Sequence, residues 1–489
     1  MASLPEIDRN VAPSEGASGY DKFYIGGTWV GPLGGSEIAI INPATEEEIA
    51  RAAMGSAEDA DRAVAAAKAA FDSWSTSSIE ERRQLLQDLL EGYKEASAEI
   101  GALLVEEIGL ITPISKGHSV MSISHIETAL GLLESYEFET RPAPSVTLAK
   151  EPVGVCTLIT SWNAPVSQIL CKAVPAIAAG CTVVVKPSEN APLSGIRIAK
   201  VFDAIGTPPG VFNLVNGLGT DLGARLASHP DVDMISFTGS VGGGGKVAQE
   251  AAPTIKRVHQ ELGGKSPNIL LPDADFEAAV PKSVMACLMN SGQTCAAPSR
   301  LIVPEDRFDD VAALAVETAK SIVVGAPDDP KTTIGPLSNR AQFDRVQRFM
   351  ETAIAEKTPR LLGGPGRPEG LSRGFYARPT IFGPVASDAT IAREEIFGPV
   401  LVIQTYRDED EAVRIANDTR YGLSGYVQSR DADHAARVAR RIRAGYVTVN
   451  FPGWTAAAPF GGYKQSGNGR QYGVWGFEEF LETKSIVRN

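Results

Sequence analysis

The 489-residue chain has only five histidines and five cysteines, and neither set has the spacing that a metal site or a disulfide framework needs. His118, His125, His229, His259 and His434 contain no HxxxH or HExxH pair, so metal-assisted hydrolysis has no visible ligand set and no metal is expected. Cys156, Cys171, Cys181, Cys287 and Cys295 are odd in number and contain no CxxC. That excludes a zinc ribbon or a disulfide scaffold and suits a reducing cytoplasm. Long apolar runs are also missing. Stretches such as 173–185 are broken by Pro, Gly or Thr, and the first twenty residues are polar, so neither a membrane span nor a signal peptide is expected. Positive charge is in deficit: 46 Lys and Arg against 59 Asp and Glu leave a net charge of −13, which argues against nucleic acid as a partner.

One cysteine is set apart by its neighbours. Cys295 lies in Gly292-Gln293-Thr294-Cys295-Ala296-Ala297-Pro298, where small side chains let a substrate approach the sulfur and a nearby backbone N–H can hold an oxyanion. Upstream, Glu261-Leu262-Gly263-Gly264-Lys265 offers a carboxylate almost free of side-chain bulk, as a water activator requires. Taken alone, a lone cysteine is more often a buried structural residue. His259 would share a face with Glu261 on a strand, yet no sequence rule carries its ring to the thiol.

A chain of this length buries two or three cores. A loose tail over 1–20 precedes short strands at 23–30 and 37–42. Two helices follow, one capped by Ser56 and one by a Ser78/Glu81 capping box. From Val153, β-branched runs at 153–160, 181–186, 211–215 and 234–238 recur between helical stretches, the signature of βαβ units in a doubly wound parallel sheet. A second α/β alternation follows Glu261, with strands at 268–271, 301–303, 399–406, 421–428 and 446–450 and a helix over 276–290. The division read from this pattern is a Rossmann-like cofactor domain at 21–132 and 152–261, a catalytic α/β domain at 262–465, and a small β arm at 133–151 and 474–489. Segments 138–150 and 480–488 read as exposed strands that pair with another subunit.

Polar residues gather at the strand ends, where open α/β sheets bind ligands. Lys186-Pro187-Ser188-Glu189 places a cation and a carboxylate there; Glu189 suits ribose hydroxyls, and a plain surface ion pair is the alternative. Phe237-Thr238-Gly239-Ser240 opens onto a glycine-filled turn at 242–245, whose bare N–H groups suit a pyrophosphate. The run from Gly217 through Gly219 to Gly223 is one residue too long for GxGxxG. Asn163, in Trp162-Asn163-Ala164-Pro165, offers a neutral donor for an oxyanion, or else simply makes a turn.

Taken in order, Trp162-Asn163, Lys186-Pro187-Ser188-Glu189, Phe237-Thr238-Gly239-Ser240, Glu261-Leu262-Gly263-Gly264-Lys265, Gly292-Gln293-x-Cys295, Glu394-Glu395-Ile396-Phe397-Gly398-Pro399 and Pro459-Phe460-Gly461-Gly462 resemble the aldehyde dehydrogenase superfamily over about residues 20–489. The resemblance implies NAD-dependent oxidation of an aldehyde through a Cys295 thioester hydrolysed by Glu261-activated water. Asn163 would hold the oxyanion, with Lys172 as electrostatic support. It places Lys186 and Glu189 at the adenosine ribose, Ser240 at the pyrophosphate and Glu395 with Phe397 at the nicotinamide ribose and ring, with Trp162, Ser188, Gly219, Phe237, Thr238, Gly239, Leu262 and Gly263 as further cofactor-binding residues. NAD is expected over NADP because Glu189 would repel a 2′-phosphate. Val166, Ser167, Cys171, Thr294, Trp454 and Phe460 are expected to line a tunnel for an uncharged, fairly hydrophobic aldehyde. A homodimer or homotetramer is expected. A coenzyme A-acylating enzyme is the rival chemistry, although its relatives generally lack the carboxylate at Glu261; a non-catalytic binding protein of the same fold is the other rival. Three departures stand out: Val241 followed by four glycines, Ile108-Gly109-Leu110-Ile111 where the family usually has Thr-Gly-Lys-Pro, and Arg470-Gln471 where it usually has Arg-Glu.

Overall fold

Val183, Val184 and Val185 are wholly buried and face two different cores, as a parallel strand covered by helices on both sides requires. In the computed structural model, which describes residues 19–489, their strand Thr182–Lys186 lies inside an eight-stranded sheet. In spatial order the sheet runs 467–468, 257–261, 234–238, 155–159, 182–186, 212–214, 23–25 and 28–30. The five central strands are parallel and the outer ones antiparallel. Val183 and Val185 pack with the helices Ile79–Ile108 and Pro165–Ala179, while Val184 packs with Ala60, Val64 and Ala67 of the helix Ala57–Ser75.

The chain leaves the central strand Val155–Ile159 first toward 182–186 and 212–214, then returns to its other side at 234–238 and 257–261. That reversal opens a crevice beyond the carboxyl ends of the strands. Residues 160–163, 186–189, 238–240 and Glu261 all fall at those ends.

Local signals explain the flanking helices. Ser78 accepts from Glu81 N at 3.2 Å and its own N–H donates to the Glu81 carboxylate at 2.8 Å, the expected capping box. The same helix stops at Gly109, whose φ of 73° is left-handed. A Cβ there would sit 2.6 Å from Pro336, so glycine at this departure is required by packing as well as by backbone.

A second sheet runs in the order 360–362, 380–382, 400–406, 300–304, 267–270, 424–428 and 446–449, parallel except for its first pair. Its first and second strands in that order were not anticipated. Nor was the helix Thr112–Ser135, whose Ser- and His-rich buried face shows little apolar contrast. The glycine-filled turn at 242–245 is the first turn of the helix Val241–Ala251. Residues 138–150 form a hairpin, Glu139–Ala143 with Val146–Pro152, and Leu481–Val487 pairs with its second strand. The two segments read as partners for another subunit are thus partners of each other within one chain. Most of the expected 1–20 tail lies outside the described residues; Tyr20 is held, its carbonyl accepting from Ala53 N at 3.0 Å. No described helix is long and apolar enough to cross a membrane.

Candidate active site

The crevice is a cleft of about 660 Å³ lined by Ser161, Trp162, Asn163, Thr238, Gly239, Ser240, Glu261, Leu262, Gly263 and Cys295, with Glu395 and Phe397 from the second sheet's side. Gln342 and Arg345 also line it; both lie on the helix Arg340–Ala355, and no sequence signal marked them.

Cys295 follows a tightly pinned loop. Asn290 and Ser291 adopt left-handed φ of 52° and 55°, and Gly292 follows at φ 72°, where a Cβ would lie 2.0 Å from the Gly398 carbonyl. Gln293 stitches this bend: its amide donates to Asn290 O at 3.1 Å, its Oε1 accepts from Ser338 N at 2.8 Å, and its backbone carbonyl accepts from Asn163 Nδ2 at 3.0 Å. Ser161 Oγ donates to Asn163 Oδ1 at 2.7 Å, which fixes which end of the amide faces the loop. One Asn163 N–H is used on Gln293, leaving a second.

Glu261 ends its strand fully buried, and neither carboxylate oxygen has a protein hydrogen-bond partner. Burial raises its pKa, opposed by the neighbouring Cys295 thiol, Lys172 and Thr238. Burial likewise pushes the Cys295 thiol well up, and the Glu261 and Glu395 carboxylates push it further. The nucleophile candidate is therefore a neutral thiol held against a carboxyl group. Glu395, raised to about 7 by burial, accepts from Gly264 N at 3.1 Å. A Cβ on Gly263 would lie 2.0 Å from that carboxylate, and one on Gly264 2.7 Å from the Cys295 carbonyl, which is why two glycines follow Glu261.

At the other end, the buried Lys186 ammonium donates to Pro187 O at 2.8 Å and stands 3.6 Å from Glu189. Ser188 is buried and accepts from Asn190 N. Gly219 opens a short helical turn whose last residue, Gly223, lies against the Lys186 stem. Ser240 caps the helix Val241–Ala251 by accepting from Gly243 N at 3.2 Å. A Cβ would meet the Phe237 ring at 3.0 Å from Gly243 and Leu262 at 2.7 Å from Gly244, so these glycines let the helix start settle onto both side chains. The space around Gly242 and Gly245 is open, and nothing in the structure explains glycine there. The Thr160 and Thr238 hydroxyls at the strand ends are buried without a protein partner, and with the free helix start they fit the polar groups of a dinucleotide.

The family model described as the aldehyde dehydrogenase family matches residues 29–486. The chain belongs to that family. It is 49% identical over 470 residues to a 3-succinoylsemialdehyde-pyridine dehydrogenase of Pseudomonas sp, spanning 96% of this chain and 98% of the relative. It is 44% identical to a putative aldehyde dehydrogenase of Staphylococcus haemolyticus, with the same coverage. Among solved structures it is similar to a cysteine-to-alanine variant of aldehyde dehydrogenase C of Pseudomonas syringae in complex with NAD+ and octanal. There the identity is 54%, the TM-score 0.95, and 96% of this chain and 97% of that one are covered. A betaine aldehyde dehydrogenase of Staphylococcus aureus with NAD+ gives 36% identity and a TM-score of 0.93, covering 96% and 97%. The molecule is thus an NAD-binding oxidoreductase that acts on aldehydes.

In this aldehyde dehydrogenase an aromatic cluster gathers several of the residues expected in the tunnel. Phe460 stacks on Tyr472 at 5.7 Å between centroids, and Trp454 meets His125 at 5.6 Å and Tyr472 at 6.0 Å. Ser167 Oγ lies 3.5 Å from His125 Nε2, and Cys171 Sγ lies 3.7 Å from Gln471 Oε1 beside Tyr472. Val166 is buried in the same helix as Ser167, and Thr294 is fixed by its place next to Cys295. His125 and Tyr472 are the centre of this cluster, and sequence reasoning missed both. Tyr472 adopts a left-handed φ of 69°, and burial, helped by the nearby Cys171, Glu261 and Cys295, holds its hydroxyl neutral. Its only signal was its position just after Arg470-Gln471.

Proposed function

We propose that the enzyme oxidises an uncharged, fairly hydrophobic aldehyde to its carboxylic acid through a thioester on Cys295. The observation that carries this is the buried, unpartnered Glu261 carboxylate beside the Cys295 thiol. Glu261 accepts the thiol proton as sulfur bonds to the aldehyde carbon, and the new oxyanion takes the second Asn163 N–H and the Cys295 backbone N–H. Bound NAD, when present, accepts the hydride from the thiohemiacetal carbon, which leaves the thioester. Once Glu261 has passed the thiol proton on to solvent, it takes a proton from water as the water oxygen attacks the thioester, and the C–S bond breaks to release the acid and the thiolate. Lys186 and Glu189 face the adenosine ribose, Ser240 and the helix start the pyrophosphate, and Glu395 with Phe397 the nicotinamide side. Residues 21–132 and 152–261 would then form the cofactor domain and 262–465 the catalytic one.

Two features support the substrate class. The tunnel cluster is aromatic, and burial holds His125 neutral by lowering its pKa to about 3. A panel of uncharged aldehydes, run with NAD, with NADP and with or without coenzyme A, tests the whole reading. NADH formation independent of coenzyme A is expected, with NAD favoured tenfold or more. The preference follows because Glu189 beside a 2′-phosphate brings a repulsion of about 1 to 4 kcal/mol. Lys186, whose ammonium stands 3.6 Å from Glu189, softens this repulsion without cancelling it. Equal efficiency with NADP would remove Glu189 from the ribose, and strict dependence on coenzyme A would overturn hydrolysis.

We also infer a cytoplasmic homo-oligomer. The arm leaves Leu481–Val487 at the edge of its sheet, with Ile486 and Val487 exposed, and an open edge of this kind is normally covered. Sedimentation at micromolar concentration should give a dimer or tetramer; a 51.7 kDa monomer would refute this.

A further inference from the structure

The aldehyde dehydrogenase chemistry above leaves a buried string of polar groups unused. Lys172, from the helix Pro165–Ala179, points its ammonium into the sheet and donates to Ser236 Oγ at 3.0 Å; Ser236 Oγ lies 2.8 Å from His259 Nδ1. All three are buried. Lys172 has only donors, so Ser236 accepts from it, and the hydroxyl proton of Ser236 is then free to go to Nδ1. In that arrangement His259 carries its own proton on Nε2, which is buried without a protein partner, and burial, together with the charges of Lys172 and Arg470, keeps the ring neutral.

We propose that His259 is a positioning residue for deacylation: by accepting the Ser236 proton it turns the Ser236 lone pairs to Lys172 and holds that ammonium on the sheet face that carries Glu261. The inference rests on Glu261 being the hydrolytic base. His259 and Glu261 lie two residues apart on the strand Arg257–Glu261, and Ser236 is the register partner of His259 on the adjoining strand. Lys172 therefore meets a face whose acceptor and carboxylate are fixed by sheet register. A held cation favours the ionised carboxylate, and burial works against the ammonium unless its N–H groups find acceptors. The other groups facing Glu261 are Cys295 and Thr238, with Glu395, Cys171 and Tyr472 interacting through charge; those facing Lys172 are Cys171 and Glu261.

The sign follows directly. Glu261 works deprotonated, so a weaker cation beside it raises its pKa and moves the acid limb of deacylation to higher pH. The test is the pH dependence of acyl-enzyme hydrolysis, followed by mass spectrometry in the full-length enzyme after Cys295 has been acylated and no longer titrates. His259→Leu and Ser236→Ala should each move the acid limb up by about one pH unit, with the first NADH equivalent still formed. His259→Gln, whose side-chain carbonyl can accept the Ser236 proton, should restore the limb. In a Lys172→Met background, His259→Leu should add no further movement. An unmoved limb in both His259→Leu and Ser236→Ala, with melting temperatures near wild type, overturns the proposal; so does an additional shift in the Lys172→Met background. Failure of the underlying reading looks different: Glu261→Gln would then turn over steadily whatever occupies position 259.

Discussion

Glu261→Gln is expected to release one equivalent of NADH and then stall, while Cys295→Ala releases none. The glutamine keeps the volume of a side chain that is wholly buried and removes only its capacity to take a proton. Acylation can still proceed from the thiolate fraction, more slowly, because the thiol is held well above its ordinary pKa by burial. Hydrolysis has no substitute base, and loss of general base catalysis costs about 10² to 10⁴ in rate. Intact-mass measurement of the stalled protein should show the acyl adduct on Cys295. Steady turnover by Glu261→Gln near the wild-type rate would take Glu261 out of the mechanism, and oxidation by Cys295→Ala would take the thiol out.

The second large effect is expected at Asn163. Asn163→Ala removes the side-chain oxyanion donor, a loss of about 10² to 10³ in kcat/KM. It also leaves the Gln293 carbonyl, which the amide holds at 3.0 Å, with only the 3.4 Å bond from Asn290 Nδ2, so stability should fall by about 1 kcal/mol. Asn163→Asp keeps the shape but sets an acceptor against the Gln293 carbonyl and a carboxylate where negative charge develops, so it should be at least as inactive and no more stable than Asn163→Ala. Asn163→Ala retaining kcat/KM within threefold of wild type would show that the oxyanion is held elsewhere.

The sheets were legible where burial is two-sided. Val183-Val184-Val185 admits little but a central strand, and the polar residues at its end and at 238–240 fell where the crevice opens. Cys295 and Glu261 stood out because small neighbours have a chemical reason to surround them, and Asn163 because it offers a neutral donor just past a strand end. The helix Thr112–Ser135 was not legible, since its buried face mixes serines and a histidine with its apolar residues, and with it went His125. Tyr472 escaped for another reason: its place depends on a left-handed backbone and on rings contributed by distant segments, which no local spacing encodes. The four glycines after Val241 read as a turn because glycine disfavours helix by about 1 kcal/mol per residue. Capping by Ser240 and close packing on Phe237 and Leu262 outweigh that preference.

The five residues that join the two sheets, 262–266, each have a peptide N–H or C=O group committed. Leu262 N donates to Ser466 O at 3.0 Å, Gly263 O accepts from Ser466 Oγ at 2.6 Å, Gly264 N reaches Glu395, and Lys265 O and Ser266 O accept from Arg300 at 2.9 and 3.3 Å. One end of this link is Glu261, and the other enters the strand Pro267–Leu270. The link is therefore fixed in length as well as in composition. A single inserted or deleted residue would shift either the carboxylate or the register of the whole second sheet, with no slack between them to absorb the change. Divergence in chain length within this architecture belongs instead to exposed loops such as 369–373, which touch neither end of the catalytic span.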